Sequence, residues 1–192
     1  MKTPQQSYPE LAAALGVPEL YLKREDLHPY GSHKGRSIPH MVKTYFKMDG
    51  IRDFVIYSSG NAALASVHAV LQHNKNNPGK EIALKIFIGK KIEPTKLKWL
   101  HSKSQSDHRI TVEQVDNPKQ QAFLIDKAGS AKYLRQSTDD IALEGYQQLA
   151  DELVKIQNLE AVFIPTSSGT TAQALGEAFE AMGRKIQIHI VQ

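Results

Sequence analysis

Gly31-Ser32-His33-Lys34-Gly35-Arg36 sets one lysine in a tight polar turn among small residues. Two later stretches share its character: Ser58-Ser59-Gly60-Asn61, and Ser167-Ser168-Gly169-Thr170-Thr171. Each of these follows a short apolar run and opens a helical pattern, so the segments around them decide the fold. Outward from the lysine turn, residues 38–47 read as a helix and Phe54-Val55-Ile56-Tyr57 as a buried strand. Residues 61–72, rich in Ala, Leu and Val at helical spacing, form the next helix, and Asn74 to Gly79 make a turn. The pattern then repeats, with a strand at 82–88 and a helix opened by Pro94 and carrying Leu97 and Leu100, where Trp99 also has core spacing. A strand at 109–115 and a helix at 118–127 come next. A long helix runs from Thr138 to about Ile156, then a strand at 161–164, a helix at 171–182 ended by Gly183, and a strand through Ile186, Ile188 and Ile190. Repeated strand–helix–strand units predict an α/β fold with parallel sheets flanked by helices.

Composition narrows the class. The 192 residues are 41% hydrophobic and 23% charged, which suits a packed core and an ordinary soluble surface. No run approaches the ~18 apolar residues of a membrane span, and Met1 to Gln6 lacks the apolar core of a secretory signal. The absence of cysteine excludes disulfides, thiolate metal sites and a cysteine nucleophile, and it suits the cytoplasm. No metal site is expected. Net charge is +4, with many lysines between Lys80 and Lys103. That stretch reads as a solvated basic face. A nucleic-acid interface would need a groove-reading element or stacking aromatics, and Trp99 stands alone there.

The three turns have complementary chemistry. A lysine amine adds to an aldehyde when it can shed its proton and is held in place, and Gly31, Ser32 and Gly35 leave room for a flat ring. The turn around Ser59 and Asn61 lies at the carboxyl end of a strand, where α/β proteins bind ligands. Unpaired N–H groups at a helix start favour a carboxylate there. Ser and Asn are also preferred N-caps whatever the function. The turn from Ser167 through Ser168, Gly169, Thr170 and Thr171 offers hydroxyls, a glycine and a helix N-terminus to a phosphate monoester, or serves as an elaborate cap. It lacks the Gly-Lys-Ser/Thr ending of a P-loop and the three spaced glycines of a dinucleotide fingerprint. Lysine plus phosphate turn implies an aldehyde cofactor with a phosphate tail, pyridoxal 5'-phosphate (PLP).

In order and spacing these stretches resemble the tryptophan synthase beta-like superfamily of PLP enzymes, fold type II. Residues 20–27, Leu-Tyr-Leu-Lys-Arg-Glu-Asp-Leu, resemble the strand and turn before that family's cofactor lysine. Ser32-His33-Lys34-Gly35-Arg36 resembles its Ser-x-Lys-x-Arg motif, and Gly145 to Leu153 resembles the helix before its phosphate-loop strand. The resemblance covers nearly the whole chain. Ser58-Ser59-Gly60-Asn61-Ala62-Ala63 is most similar to threonine synthase, whereas His33 is more like tryptophan synthase. It implies that Lys34 bonds to the cofactor and later carries the α-proton, and that Asn61 meets the cofactor's phenolic oxygen. It further implies that Ser58, Ser59, Gly60, Asn61 and Ala62 hold the substrate carboxylate, and that Ser167, Ser168, Gly169, Thr170 and Thr171 bind the phosphate.

The implied architecture has two lobes. Residues 52–132 form a small α/β lobe, while 1–51 and 133–192 form a large PLP-binding lobe, incomplete because the family continues past the last strand. The implied activity is β/γ elimination or replacement on an amino acid, threonine synthase-like, threonine dehydratase-like or cysteine synthase-like. The alternative is a non-catalytic or partner-dependent fragment, paired in a homodimer or with a complementary chain. Two departures stand out: Gly35 occupies a position where many relatives carry Asp, and one glycine serves a phosphate loop that is usually glycine-rich.

Overall fold

Alternating helical and strand patterns fold here into layered α/β structure. In the computed structural model, which describes residues 2–191, the chain opens with β1 (Gln5–Ser7), α1 (Pro9–Leu15), β2 (Tyr21–Lys23) and a 3-10 turn at Glu25–Leu27. It continues through α2 (Lys34–Asp49), β3 (Asp53–Tyr57), α3 (Asn61–Asn76), β4 (Ala83–Gly89), α4 (Pro94–Ser104), β5 (Ile110–Val115) and α5 (Pro118–Lys127). It closes with β6 (Lys132–Tyr133), α6 (Asp140–Glu144), α7 (Gln147–Leu153), β7 (Ala161–Pro165), α8 (Thr170–Ala181) and β8 (Gln187–Val191).

The central sheet has the order β5-β4-β3-β6 and every pairing in it is parallel. Alternation along β3 splits its side chains between two cores. Phe54 and Ile56 join the larger cluster with residues of α2, α3 and α4, including Val42, Val70 and Leu100. Val55 faces the other way, against Phe87, Tyr133 and Ala122 of α5. A third cluster packs α7 and α8 on the parallel pair β7-β8. The parallel sheets flanked by helices follow the sequence pattern, while the antiparallel pair β1-β2 and helix α1 were not foreseen there.

Three expectations need correction. Trp99 is 41% exposed, because α4 buries only the stripe of Leu97, Leu100 and Ser104, and position 99 lies off it. Helix α2 begins at Lys34 rather than near residue 38, and it tolerates Pro39, whose missing N–H leaves the carbonyl of Gly35 without its helical donor. The long helix expected from Thr138 breaks into α6 and α7 at Gly145 and Tyr146. A β-carbon at 145 would lie 2.5 Å from the Ser37 Cα and 2.9 Å from the carbonyl oxygen of Arg36, so a glycine is needed where the chain crosses the backbone of α2.

Candidate active site

Lys34 is the first residue of α2, and its surroundings are built by the turn before it. Gly31 takes the left-handed conformation (φ 79°) and donates its N–H to the carbonyl of His28 at 2.7 Å. The buried Ser32 accepts the N–H of Lys34 on its hydroxyl at 3.3 Å. Gly35 presses against the ring of His28 and the β-carbon of Tyr30, and a β-carbon there would overlap both. This explains why Asp is missing from that position: the imidazole of His28 fills the space. Burial pulls the Lys34 ammonium down to about 8, and among the described residues no carboxylate pairs with it. Burial, and then the charge of Lys34, hold the His33 imidazole down at about 4, so it is neutral near pH 7. The lysine is thus a desolvated amine that deprotonates easily, the state needed to attack a carbonyl carbon.

Two residues along, Arg36 anchors this turn. Its side chain is 1% exposed and donates to Glu25 at 2.7 and 2.9 Å, to Glu152 at 2.8 and 3.2 Å, and to the Thr3 hydroxyl at 3.0 Å. Lys23 completes the cluster at 2.5 Å from Glu152. Burial alone pushes the Glu152 carboxyl up, but hydrogen bonds from Arg36 and Lys23 outweigh it and hold the group at about 2. The motif Arg36 was legible in sequence. Its partners were not, because they come from the segment before β1, the 3-10 turn and α7.

The other two turns open α3 and α8. The turn at 58–60 follows β3, with the Ser58 hydroxyl accepting the N–H of Gly60 at 3.2 Å. The N-cap of α3 is Gly60, without a side-chain cap, so neither Ser59 nor Asn61 is spent on capping. Ala62 is buried, leaving only its backbone N–H to offer. Gly31 meets this helix directly, since a β-carbon on it would lie 3.0 Å from Leu64. At the third turn, Gly169 (φ 76°) is the N-cap of α8, again without a side-chain cap. Its N–H goes to the Thr166 hydroxyl at 3.0 Å, and the hydroxyls of Ser168 and Thr170 lie 2.8 Å apart. Ser167 and Ser168 are exposed, while Thr170 and Thr171 are buried.

Tyr146 joins the lysine helix to this last turn. Its ring is fully buried and stacks on His33 with centroids 6.3 Å apart. Burial pushes its hydroxyl pKa up, while hydrogen bonds to Ser37 (3.3 Å) and Thr171 pull the other way. Sequence reading set residue 146 inside one long helix and missed this bridge, which carries no local signal. Two uncapped helix starts and a desolvated amine form a donor set that fits a ligand with anionic groups and a carbonyl.

The sequence profile described as "Pyridoxal-phosphate dependent enzyme" matches residues 1–192. The chain belongs to this family. The cofactor of the family is PLP, and the donor set above fits it. No curated protein sequence matches the chain. Among solved structures, maize serine racemase superposes with a TM-score of 0.84 at 18% identity, covering 100% of this chain and 56% of that one. Threonine deaminase isoform 2 from Solanum lycopersicum gives 0.82 at 19%, covering 99% and 50%. An O-acetylserine dependent cystathionine beta-synthase from Helicobacter pylori gives 0.80 at 17%, covering 100% and 63%. These likenesses show the shared fold, and the chain spans only about half to six-tenths of the length of those proteins. No helix among the described residues is long and apolar enough to cross a membrane.

Proposed function

We propose that this PLP-family chain holds the cofactor between Lys34 and the turn from Ser167 to Thr171, and acts on an amino acid by β/γ elimination or replacement. The observation that carries this reading is the desolvated Lys34, tied by the path Ser37–Tyr146–Thr171 to an uncapped helix start. When bound, PLP supplies the electron sink that makes the α-hydrogen of an amino acid acidic. The protein's own residues do the rest. Lys34 would hold the cofactor through its Nζ and would carry the proton of the α-carbon. The α3 amides with Ser58, Ser59 and Asn61 orient the substrate carboxylate, Asn61 also meets the cofactor's phenolic oxygen, and residues 167–171 hold the phosphate. Within the family the reading is threonine synthase-like, on the strength of Ser58-Ser59-Gly60-Asn61-Ala62-Ala63. A small lobe at 52–132 and a large, partial lobe at 1–51 and 133–192 flank the site in this proposal, and the cysteine-free chain works in the cytoplasm.

The test is absorbance on adding PLP. A visible band that Lys34→Ala abolishes supports the reading, and an unchanged spectrum overturns it.

A second reading, that activity needs a homodimer or a complementary chain, is favoured by β7-β8. Phe163, Ile190 and Val191 on this two-stranded sheet are 66, 56 and 47% exposed. Apolar area of that kind marks interfaces. Sedimentation of wild type against a Phe163→Ser, Val191→Ser double variant separates the cases: a self-associating species lost in the variant supports it, and a monomer in both rejects the homodimer.

A further inference from the structure

A cleft of about 570 Å³ opens where β3 and β6 end and α5 begins. Its walls include Tyr57, Lys119, Phe123, Tyr133 and Arg135. We propose that this cleft takes the distal end of the substrate, and that this end is anionic, a carboxylate or phosphate carried beyond the α-carbon. The inference rests on the function proposed above and narrows its substrate class.

Charge is the first argument. Lys119 and Arg135 line the cleft and no Asp or Glu does. By contrast, Lys85 on β4 pairs with Glu113 at 3.0 Å and Lys90, just past β4, with Asp116 at 2.9 Å. Lys119 has no carboxylate in ion-pair range among the described residues. Arg135 is held by Asp126, which accepts one guanidinium nitrogen at 2.5 Å and the N–H of Tyr133 at 3.1 Å. The guanidinium lies 5.3 Å from the Phe123 ring centroid and 5.4 Å from that of Tyr133. It is therefore fixed in place with its remaining N–H groups unused, a prepared fork for oxyanion oxygens. Burial, and then nearby Tyr57, push the Tyr133 hydroxyl up to about 12, so it remains a donor.

Position is the second argument. Tyr57, on the cleft wall, immediately precedes Ser58, the first residue of the turn proposed to grip the α-carboxylate. The cleft and that turn therefore both lie at the carboxyl end of β3, the edge of a parallel sheet where α/β proteins bind ligands. Exposed faces of Tyr57 and Phe123 would cover the intervening methylene groups.

The experiment is calorimetric titration of the chain with glutarate, its uncharged counterpart glutaramide, and inorganic phosphate, none of which requires bound PLP. Glutarate is expected to bind about ten-fold tighter than glutaramide. Lys119→Gln, on the surface and without a structural partner, should weaken glutarate about five-fold, and Arg135→Gln at least as much. Preference for phosphate over glutarate would identify a phosphorylated substrate. Equal affinity for glutarate and glutaramide, or indifference to Lys119→Gln, overturns the proposal. So does displacement of glutarate by PLP, which would place the anion on the turn at 167–171. Lys119→Gln should weaken glutarate while leaving in place the visible PLP band that Lys34→Ala abolishes, so failure of either reading is recognised separately.

Discussion

Replacing Glu152 with glutamine removes the negative charge that Arg36 and Lys23 share while keeping the side chain's volume. Glu152 is 4% exposed and accepts from Arg36 at 2.8 Å and Lys23 at 2.5 Å. Moving its carboxyl from an ordinary 4.5 to about 2 corresponds to about 3 kcal/mol, at about 1.4 kcal/mol per pH unit. The group also lines a shallow cleft with Lys2 and Lys155. Solvent there screens the pair and trims the figure to about 2 kcal/mol. Breaking a buried pair costs about 3–5 kcal/mol in other proteins, so 2 is a floor rather than an excess. Urea denaturation at pH 7 should show Glu152→Gln less stable by about 2–3 kcal/mol, or about 6 °C in thermal midpoint. The sign with pH is fixed. The carboxylate's contribution is fully present above pH 4.5 and is lost as pH falls through about 2, so the gap between wild type and variant should close on acidification across that window. A loss below about 0.5 kcal/mol, or a gap that stays constant with pH, would refute the assignment of the network as a structural anchor.

Other perturbations test the site piece by piece. Tyr146→Phe removes the hydroxyl between Ser37 and Thr171 and should cost about 1 kcal/mol, with PLP affinity falling several-fold in a fluorescence titration. Lys34→Met should stabilise the chain by about 2 kcal/mol at pH 7 after allowance for partial solvation, because it removes a desolvated ammonium. The same group predicts that wild-type stability rises with pH between about 8 and 10.5, where the unfolded chain holds the proton that the folded one has released, and that Lys34→Met lacks this rise. Gly35→Asp, which restores the residue of many relatives, should destabilise by about 1–3 kcal/mol in thermal unfolding because His28 occupies its space. Gly35→Asp combined with His28→Ala should recover part of the loss.

Much of this was legible in the sequence because its signals are local. The apolar run of β3 followed by Ser58-Ser59-Gly60-Asn61 located a strand end and a helix start, and α5 fell at 118–127 as read. The lysine turn was visible through its glycines. What could not be read was set by distant contacts. The break at Gly145 follows from the close approach of α2, more than a hundred residues earlier in the chain. Trp99 had core spacing, yet only one face of α4 meets the sheet. β1 is three polar residues with no apolar alternation, and its pairing with β2 is a tertiary choice. The Tyr146 bridge and the Arg36 cluster likewise join residues whose types are ordinary and whose meeting is not encoded nearby.

The reach of the Arg36 cluster bears on how the chain matures. Thr3 and Glu152 meet across 149 positions, and the second of them belongs to α7. Closing so long a loop is a slow step in folding, since its entropy is lost before the contacts form. Until α7 docks, Arg36 has only Glu25 and the Thr3 hydroxyl as partners, and the first turn of α2 is unfastened on one side. The setting of Lys34 thus depends on a contact between segments far apart in the sequence, and the start of α2 is fastened only once α7 has docked.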